Sequence, residues 1–151
     1  MTRQKLVLVA SLGSAMMLAG AIGFQIIGEM PPCKLCLWQR WPHGAAVLIG
    51  LLAMLLPFRA LSYLGALAAA TTAAIALYHS GVELNWWEGP TSCTSGSVSG
   101  ISVDDLMKQI MAAPVVRCDE IPWSLGGISM AGWNGIISLG LAVIWLVSAR
   151  R

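Results

Sequence analysis

Four long apolar runs alternate with polar stretches along the chain, at about residues 6–28, 41–57, 61–80 and 128–148. Each is close to the ~20 residues that a helix needs to cross the hydrocarbon core of a bilayer. The second run is the shortest. Backbone groups inside lipid must find partners within their own segment, so these runs are predicted to be helices. The pattern predicts an all-α membrane protein, a four-helix transmembrane bundle forming one integral membrane domain over residues 1–151. Two loops should lie on one side: a short one at about 29–40 and a long one at about 81–127.

Composition agrees with the pattern. The chain is 57% apolar and only 11% charged, whereas about a quarter of a soluble domain is charged. The net charge of +2 is small and its basic residues are scattered, which excludes a nucleic-acid-binding patch. Arg3 and Lys5 precede the first run, and Ala19-Gly20-Ala21 has the small residues of a signal-peptidase site. The run exceeds a signal peptide's apolar region of roughly 7–15 residues, so it reads as a retained anchor.

Charge also orients the bundle. With four alternating spans, Arg3, Lys5, Arg59, Arg150 and Arg151 share one side in short segments. Lys34, Arg40, Lys108 and Arg117 are spread through the longer loops on the other. Lysine and arginine near span ends favour the cytoplasm. Both termini are therefore expected in the cytoplasm of a bacterial inner-membrane protein, with all four cysteines in the periplasm, where disulfides persist.

Local signals fill in the loops. Pro31 and Pro32 end the first run and suit the start of a new helix. Residues 91–100 are rich in Gly, Ser and Thr. Ser102 is a candidate N-cap with Asp105 three residues on, a variant of the capping box. Leu106, Met107, Ile110 and Met111 follow at helical spacing and predict a short amphipathic helix ended by Pro114. It would lie flat on the membrane or pack on the bundle top. Gly65, Ala69 and Ala73 place small residues four apart, which favours close helix packing. Trp133 and Trp145 are expected to mark the two interfaces of the last span.

The chemistry resides in the thiols. Cys33-Lys34-Leu35-Cys36 lies between the first two apolar runs, and a C-x-x-C suggests a redox centre or half a zinc site. In a helix starting near Cys33, the residues Cys33, Cys36 and Arg40 fall within about 60° of one face; Pro42 limits that face to residues up to Trp41. A helix N-terminus and a nearby cation both populate a thiolate. Arg40 at the membrane surface is a functional candidate or a snorkelling anchor. Cys93 and Cys118 are separated in the long loop, whereas zinc sites usually take two close ligand pairs; no metal is expected. Two structural disulfides are the remaining alternative, although a C-x-x-C ring is tight and suits exchange better than stapling. His79, at the outer end of the third run, is a hydrogen-bond donor to a ligand or a cap. His43, just after Pro42, reads as an interfacial filler.

Taken together, Cys33-Lys34-Leu35-Cys36-Leu37-Trp38-Gln39-Arg40, His79, the separated Cys93 and Cys118, and Gly127-Ile128-Ser129-Met130 ahead of Trp133 resemble the bacterial disulfide bond formation protein B family, DsbB. The resemblance covers essentially the whole chain. Gln39 stands where some members carry an acid. Vitamin K epoxide reductase-like proteins also have four spans and a C-x-x-C, but theirs lies late in the bundle. The resemblance implies a quinone-dependent protein-disulfide oxidoreductase. Cys93–Cys118 would be the disulfide offered to a reduced thioredoxin-like carrier of DsbA type. Cys118 would then attack Cys33, and Cys36 would leave as a thiolate beside a membrane quinone, ubiquinone or menaquinone. Arg40 would stabilise the charge that develops, and His79 would assist at the quinone. A family variant devoted to one specialised carrier would keep the same residues, and the non-enzymatic alternative is a membrane anchor with disulfide-stapled loops or a partner-binding subunit.

Overall fold

The computed structural model describes residues 1–90, 102–112 and 116–151, without the side chains of Leu106, Gln109, Ile110 and Ala112. The elements in chain order are α1 (Arg3–Ile26), α2 (Lys34–Leu55), α3 (Arg59–Glu83), α4 (Val103–Ala112), a hairpin of β1 (Ser124–Leu125) and β2 (Ile128–Ser129), and α5 (Met130–Ala149). The four long helices pack as a bundle in which α1 and α3 each touch both α2 and α5. Helices α1, α3 and α5 are long and apolar enough to cross a membrane. The outer half of α2 instead carries Gln39, Arg40, Pro42 and His43, so its apolar stretch is shorter.

The bundle interior is built from small side chains around one large one. Val7, Ala10, Ala53, Ala66, Ala69, Leu141 and Ala142 surround a fully buried Trp145. This overturns the expectation that Trp145 marks an interface. Lipid supplies no hydrophobic drive for helix association, so close packing must supply the attraction. Gly65 is what admits the indole: a Cβ there would lie 2.5–2.7 Å from three Trp145 ring atoms. The outward faces carry exposed Leu12, Leu48, Leu51, Leu67, Leu77 and Leu139, a lipid-facing belt that a soluble protein would not expose on this scale.

Helix α2 begins where its sulfur cap allows. The Cys33 Sγ accepts the Cys36 backbone N–H at 3.1 Å, and Cys33 is the N-cap. Pro31 and Pro32 thus precede the cap instead of opening the helix. Pro42 lies inside α2 and does not end it; the helix continues to Leu55. The polar stripe consequently extends past the expected limit, to His43. On the opposite face Trp38 and Trp41 are exposed, with the Lys34 ammonium 5.8 Å from the Trp38 ring.

At the other end of the bundle Arg3 donates to the Phe58 carbonyl at 2.9 Å. This ties the chain start to the α2–α3 turn, as alternating helices require. Ser102 caps α4 as expected, accepting the Asp105 N–H and donating to its carboxylate. Met107 and Met111 of that helix are exposed. Residues 91–101 and 113–115, with Cys93 and Pro114, lie outside the described residues, as do the Leu106 and Ile110 side chains. The β1–β2 turn is Gly126-Gly127, both at positive φ (60° and 80°). That backbone matches the primed turn of a two-residue hairpin. Trp133 donates to the Leu125 carbonyl at 3.0 Å and fastens the hairpin to α5, while Ser129 caps α5.

Gly65→Val should therefore cost about 1–3 kcal/mol through overpacking against Trp145. Detergent-solubilised variant protein should unfold at lower temperature than the parent, whereas Gly20→Ala, which meets open space, should not.

Candidate functional site: two thiols, a buried histidine and a cavity

The thiols are assembled from three directions. The cap places Cys33 and Cys36 at the start of α2. The last turns of α3 bring His79 and Glu83. The segment at 116–123 crosses the bundle top, where Val116 and the fully buried Cys118 pack with Cys33, Leu35 and Val82. Trp123 holds the far end of that segment against Phe24 of α1, ring centroids 5.2 Å apart.

The sulfurs of Cys33 and Cys118 and a ring nitrogen of His79 all lie within 4.8 Å of one another. His79 Nε2 is 3.6 Å from Cys33 Sγ and 3.8 Å from a Glu83 carboxylate oxygen. Ser129 donates to the other Glu83 oxygen. Cys118 is disulfide-bonded, while Cys33 and Cys36 are free thiols. The sequence set aside a zinc site formed by the four cysteines. The structure does gather two of them with His79, but one of these is held in a disulfide.

Cys33 and Cys36 differ in character. A hydrogen bond from the Cys33 thiol to the Cys36 sulfur pushes Cys36 below the ordinary thiol range and Cys33 well above it. Burial raises both, and only Cys36 has an opposing contribution from Arg40. Cys36 is therefore the thiol of the pair that ionises first.

Cys36 opens onto a cavity of about 670 Å³ between α1, α2, α5 and the crossing segment. Its walls include Met16, Phe24, Cys36, Arg40, Trp123 and Ile137. Arg40 donates to the Gln25 side chain at 2.6 Å and the Ala21 carbonyl at 3.2 Å. Its Nε is buried, with no hydrogen-bond partner among the described residues.

Two residues to which the sequence assigned no role lie at the centre. Gln39 and Asn134 are buried and bonded to one another, with Gln39 also on His79 at 2.9 Å and Asn134 on His43 at 2.9 Å. His43 is thus part of a buried polar seam and is not an interfacial filler. The available signal was spacing: Cys36, Gln39, Arg40 and His43 follow i, i+3, i+4, i+7, which is one helix face. Glu83 and Ser129 carried no comparable pattern.

Comparison with known proteins agrees with this geometry. Residues 3–148 match the family described as Disulfide bond formation protein DsbB. The chain belongs to the DsbB family. Among its relatives, Disulfide bond formation protein B of Methylococcus capsulatus is 30% identical over 148 residues, covering 93% of this chain and 90% of the relative. The protein of that name from a Shewanella species is 27% identical over 135 residues, covering 85% and 77%. No solved structure matches the chain. DsbB membership makes the chain a disulfide-forming oxidoreductase, and the bundle makes it a membrane protein.

The split between the thiols has a direct readout. In the reduced protein, alkylation of Cys36 by a small haloacetamide should persist to lower pH than alkylation of a free thiol, because a lowered pKa keeps the thiolate populated as protons are added. In Cys33→Ala, which removes the S–H donor, the midpoint of the Cys36 pH–rate profile should move upward. An unchanged midpoint would place the cause elsewhere.

Proposed function

We propose that this DsbB-family protein reoxidises a periplasmic thioredoxin-like carrier and passes the electrons to a quinone of the inner membrane. The observation that carries the reading is the meeting of Cys33, His79 and Cys118 beside a cavity that presents Cys36 and Arg40. A thiol relay needs a sulfur from the aqueous loop within reach of the C-x-x-C. An apolar oxidant needs a lipid-level pocket next to the last thiolate. This arrangement supports both.

The steps balance as follows. A thiolate of the reduced carrier attacks Cys93 of a Cys93–Cys118 disulfide, forming a mixed disulfide and releasing Cys118 as a thiolate. The carrier's second thiol resolves the mixed disulfide and leaves oxidised. Cys118 attacks Cys33 of a Cys33–Cys36 disulfide, and Cys36 departs as a thiolate. The reduced Cys93 thiol then attacks Cys118, restoring the loop disulfide and returning Cys33 as a thiol. Two electrons and two protons have moved from the carrier to the Cys33/Cys36 pair.

The cavity fits a quinone by its apolar walls and by the Arg40 side chain in its lining. A bound quinone supplies the two-electron, two-proton acceptor that re-forms the Cys33–Cys36 disulfide. Arg40 would hold it, being permanently charged with a planar fork suited to oxygen, and His79 lies on the same cavity wall. In this reading the apolar stretch of α2, from about residue 41, is the fourth membrane span. Both termini are cytoplasmic and the cysteines face the periplasm, in keeping with the distribution of basic residues.

The test is to add a reduced thioredoxin-like periplasmic protein and a soluble quinone to the purified protein and follow quinone absorbance. Steady loss of the quinone band is expected; its absence would defeat the reading. Arg40→Met should lower quinone turnover at least about tenfold, the weight of one hydrogen bond to a charged group, while thiol exchange with the carrier changes little. Equal losses in both would reduce Arg40 to a packing residue.

The order of the relay predicts an asymmetry. With Cys33→Ser, Cys118 has no disulfide ahead of it, so the carrier should collect as a mixed disulfide with Cys93 or revert to its reduced form. With Cys93→Ser, no such adduct should form, yet Cys33–Cys36 should still be oxidised by quinone. Non-reducing gels report both outcomes. Equal carrier turnover by the two variants would mean that the carrier reacts directly at Cys33–Cys36.

A further inference from the structure

A directed chain of hydrogen bonds runs through the bundle towards the reactive pair, and nothing in the relay above uses it. It begins at His43, whose Nε2 is 2.9 Å from the Asn134 side-chain oxygen. Asn134 Nδ2 donates to the Gln39 side-chain oxygen. Gln39 Nε2 is 2.9 Å from His79 Nδ1, and His79 Nε2 is 3.6 Å from Cys33 Sγ. All five residues are buried.

One residue fixes the direction. The Thr72 hydroxyl donates its only proton to the Gln39 backbone carbonyl at 3.0 Å. It can therefore only accept from Asn134, which approaches at 3.4 Å, so Asn134 must turn its amide nitrogen that way. Its oxygen is left for His43 and for Ser138, which donates at 3.2 Å. Gln39 must then meet Asn134 with oxygen and His79 with nitrogen. Reversing the chain would set Asn134 oxygen against Thr72 oxygen and place a buried His43 Nδ1 proton where that atom has no partner. A buried polar group without a partner is costly, because it has given up its bonds to water.

The ring of His79 thus faces a donor at Nδ1 and acceptors at Nε2, where Cys33 sulfur and the Glu83 carboxylate lie. We infer that Gln39 is a positioning residue that holds His79 as a neutral ring with its single proton on Nε2, under orders relayed from Thr72 through Asn134. The consequence concerns which sulfur carries charge. An imidazolium 3.6 Å from Cys33 would draw the thiolate onto Cys33. A neutral ring leaves it on Cys36, which faces the cavity and Arg40. The proton position needs neither carrier nor quinone; only its use rests on the proposed relay.

The test reads the ring directly. In protein labelled with 15N-histidine, the His79 Nδ1 of the parent should resonate as a bare, pyridine-type nitrogen and Nε2 as an N–H. Gln39→Glu replaces the amide donor with an acceptor, so Nδ1 should become an N–H. Asn134→Asp should do the same without touching His79: it can only accept, so Gln39 must turn its nitrogen to it and offer oxygen to His79. In both variants Nε2 still faces acceptors and keeps its proton, so the ring becomes an imidazolium, and alkylation of the reduced protein at neutral pH should shift towards Cys33, raising its share relative to Cys36 roughly tenfold, as a cation beside a thiol populates its thiolate. A protonated Nδ1 in the parent would overturn the inference, and this reading requires no variant to fold. Unchanged Nδ1 signals in folded Gln39→Glu and Asn134→Asp proteins would also overturn it. Neither measurement involves quinone or carrier, so a failure of the relay is seen separately.

Discussion

The cap that Cys33 makes on α2 is the contact on which the site depends. A helix must satisfy its first backbone N–H groups, and here a reactive sulfur takes one of them. The cap fixes where α2 starts, and the start fixes its phase. Cys36, Gln39, Arg40 and His43 then share the inward stripe, while Trp38 and Trp41 turn outward. A side-chain cap is normally supplied by oxygen. Using sulfur means that a thiol of the C-x-x-C and the helix boundary are a single atom, so any change of bonding at Cys33 acts on the helix terminus itself.

The interior divides into two zones with different cohesion. Near the Arg3 end, small residues close around Trp145 and association rests on contact. Near the thiol end, the helices are joined by amides, hydroxyls and imidazoles: Gln39 and His43 from α2, Thr72 and His79 from α3, Asn134 and Ser138 from α5. These groups carry little charge but strong direction. In a low-dielectric interior such a network resists displacement, because each broken bond leaves a costly orphan. This suits a bundle that must keep its thiols in register.

Much of this was legible in the sequence. The four apolar runs located the four long helices, since the bilayer imposes a length on each. The amphipathic helix after Ser102 was visible through its cap. The C-x-x-C slot and the pair Cys33/Cys36 with Arg40 followed from helical spacing. What escaped were properties set by tertiary packing. Trp145 looks like any interfacial tryptophan until Gly65 is seen opposite it. Pro42 looks like a stop, yet in the first half of a helix held on both sides it is absorbed. His43 looks peripheral because its partner Asn134 lies 91 positions away. Short polar side chains at single positions in apolar runs give no period to read.

The outward face of α2 has a consequence for the height of the chemistry. Trp38 and Trp41 project from the side opposite the thiols, and Lys34 lies over Trp38. Aromatic and basic groups of this kind settle at the headgroup level, and a helix anchored there takes its depth from the lipid. Cys36 lies two residues from Trp38 on the same rigid helix, so its distance from water is set by the membrane interface. The polar half of α2 gives the helix little apolar length beyond that anchor. In a thicker bilayer the cost of mismatch is met by tilting the longer helices or by local thinning, rather than by sinking the thiols. The depth of the sulfur pair is thereby tied to the aromatic anchor on the opposite face of the same helix.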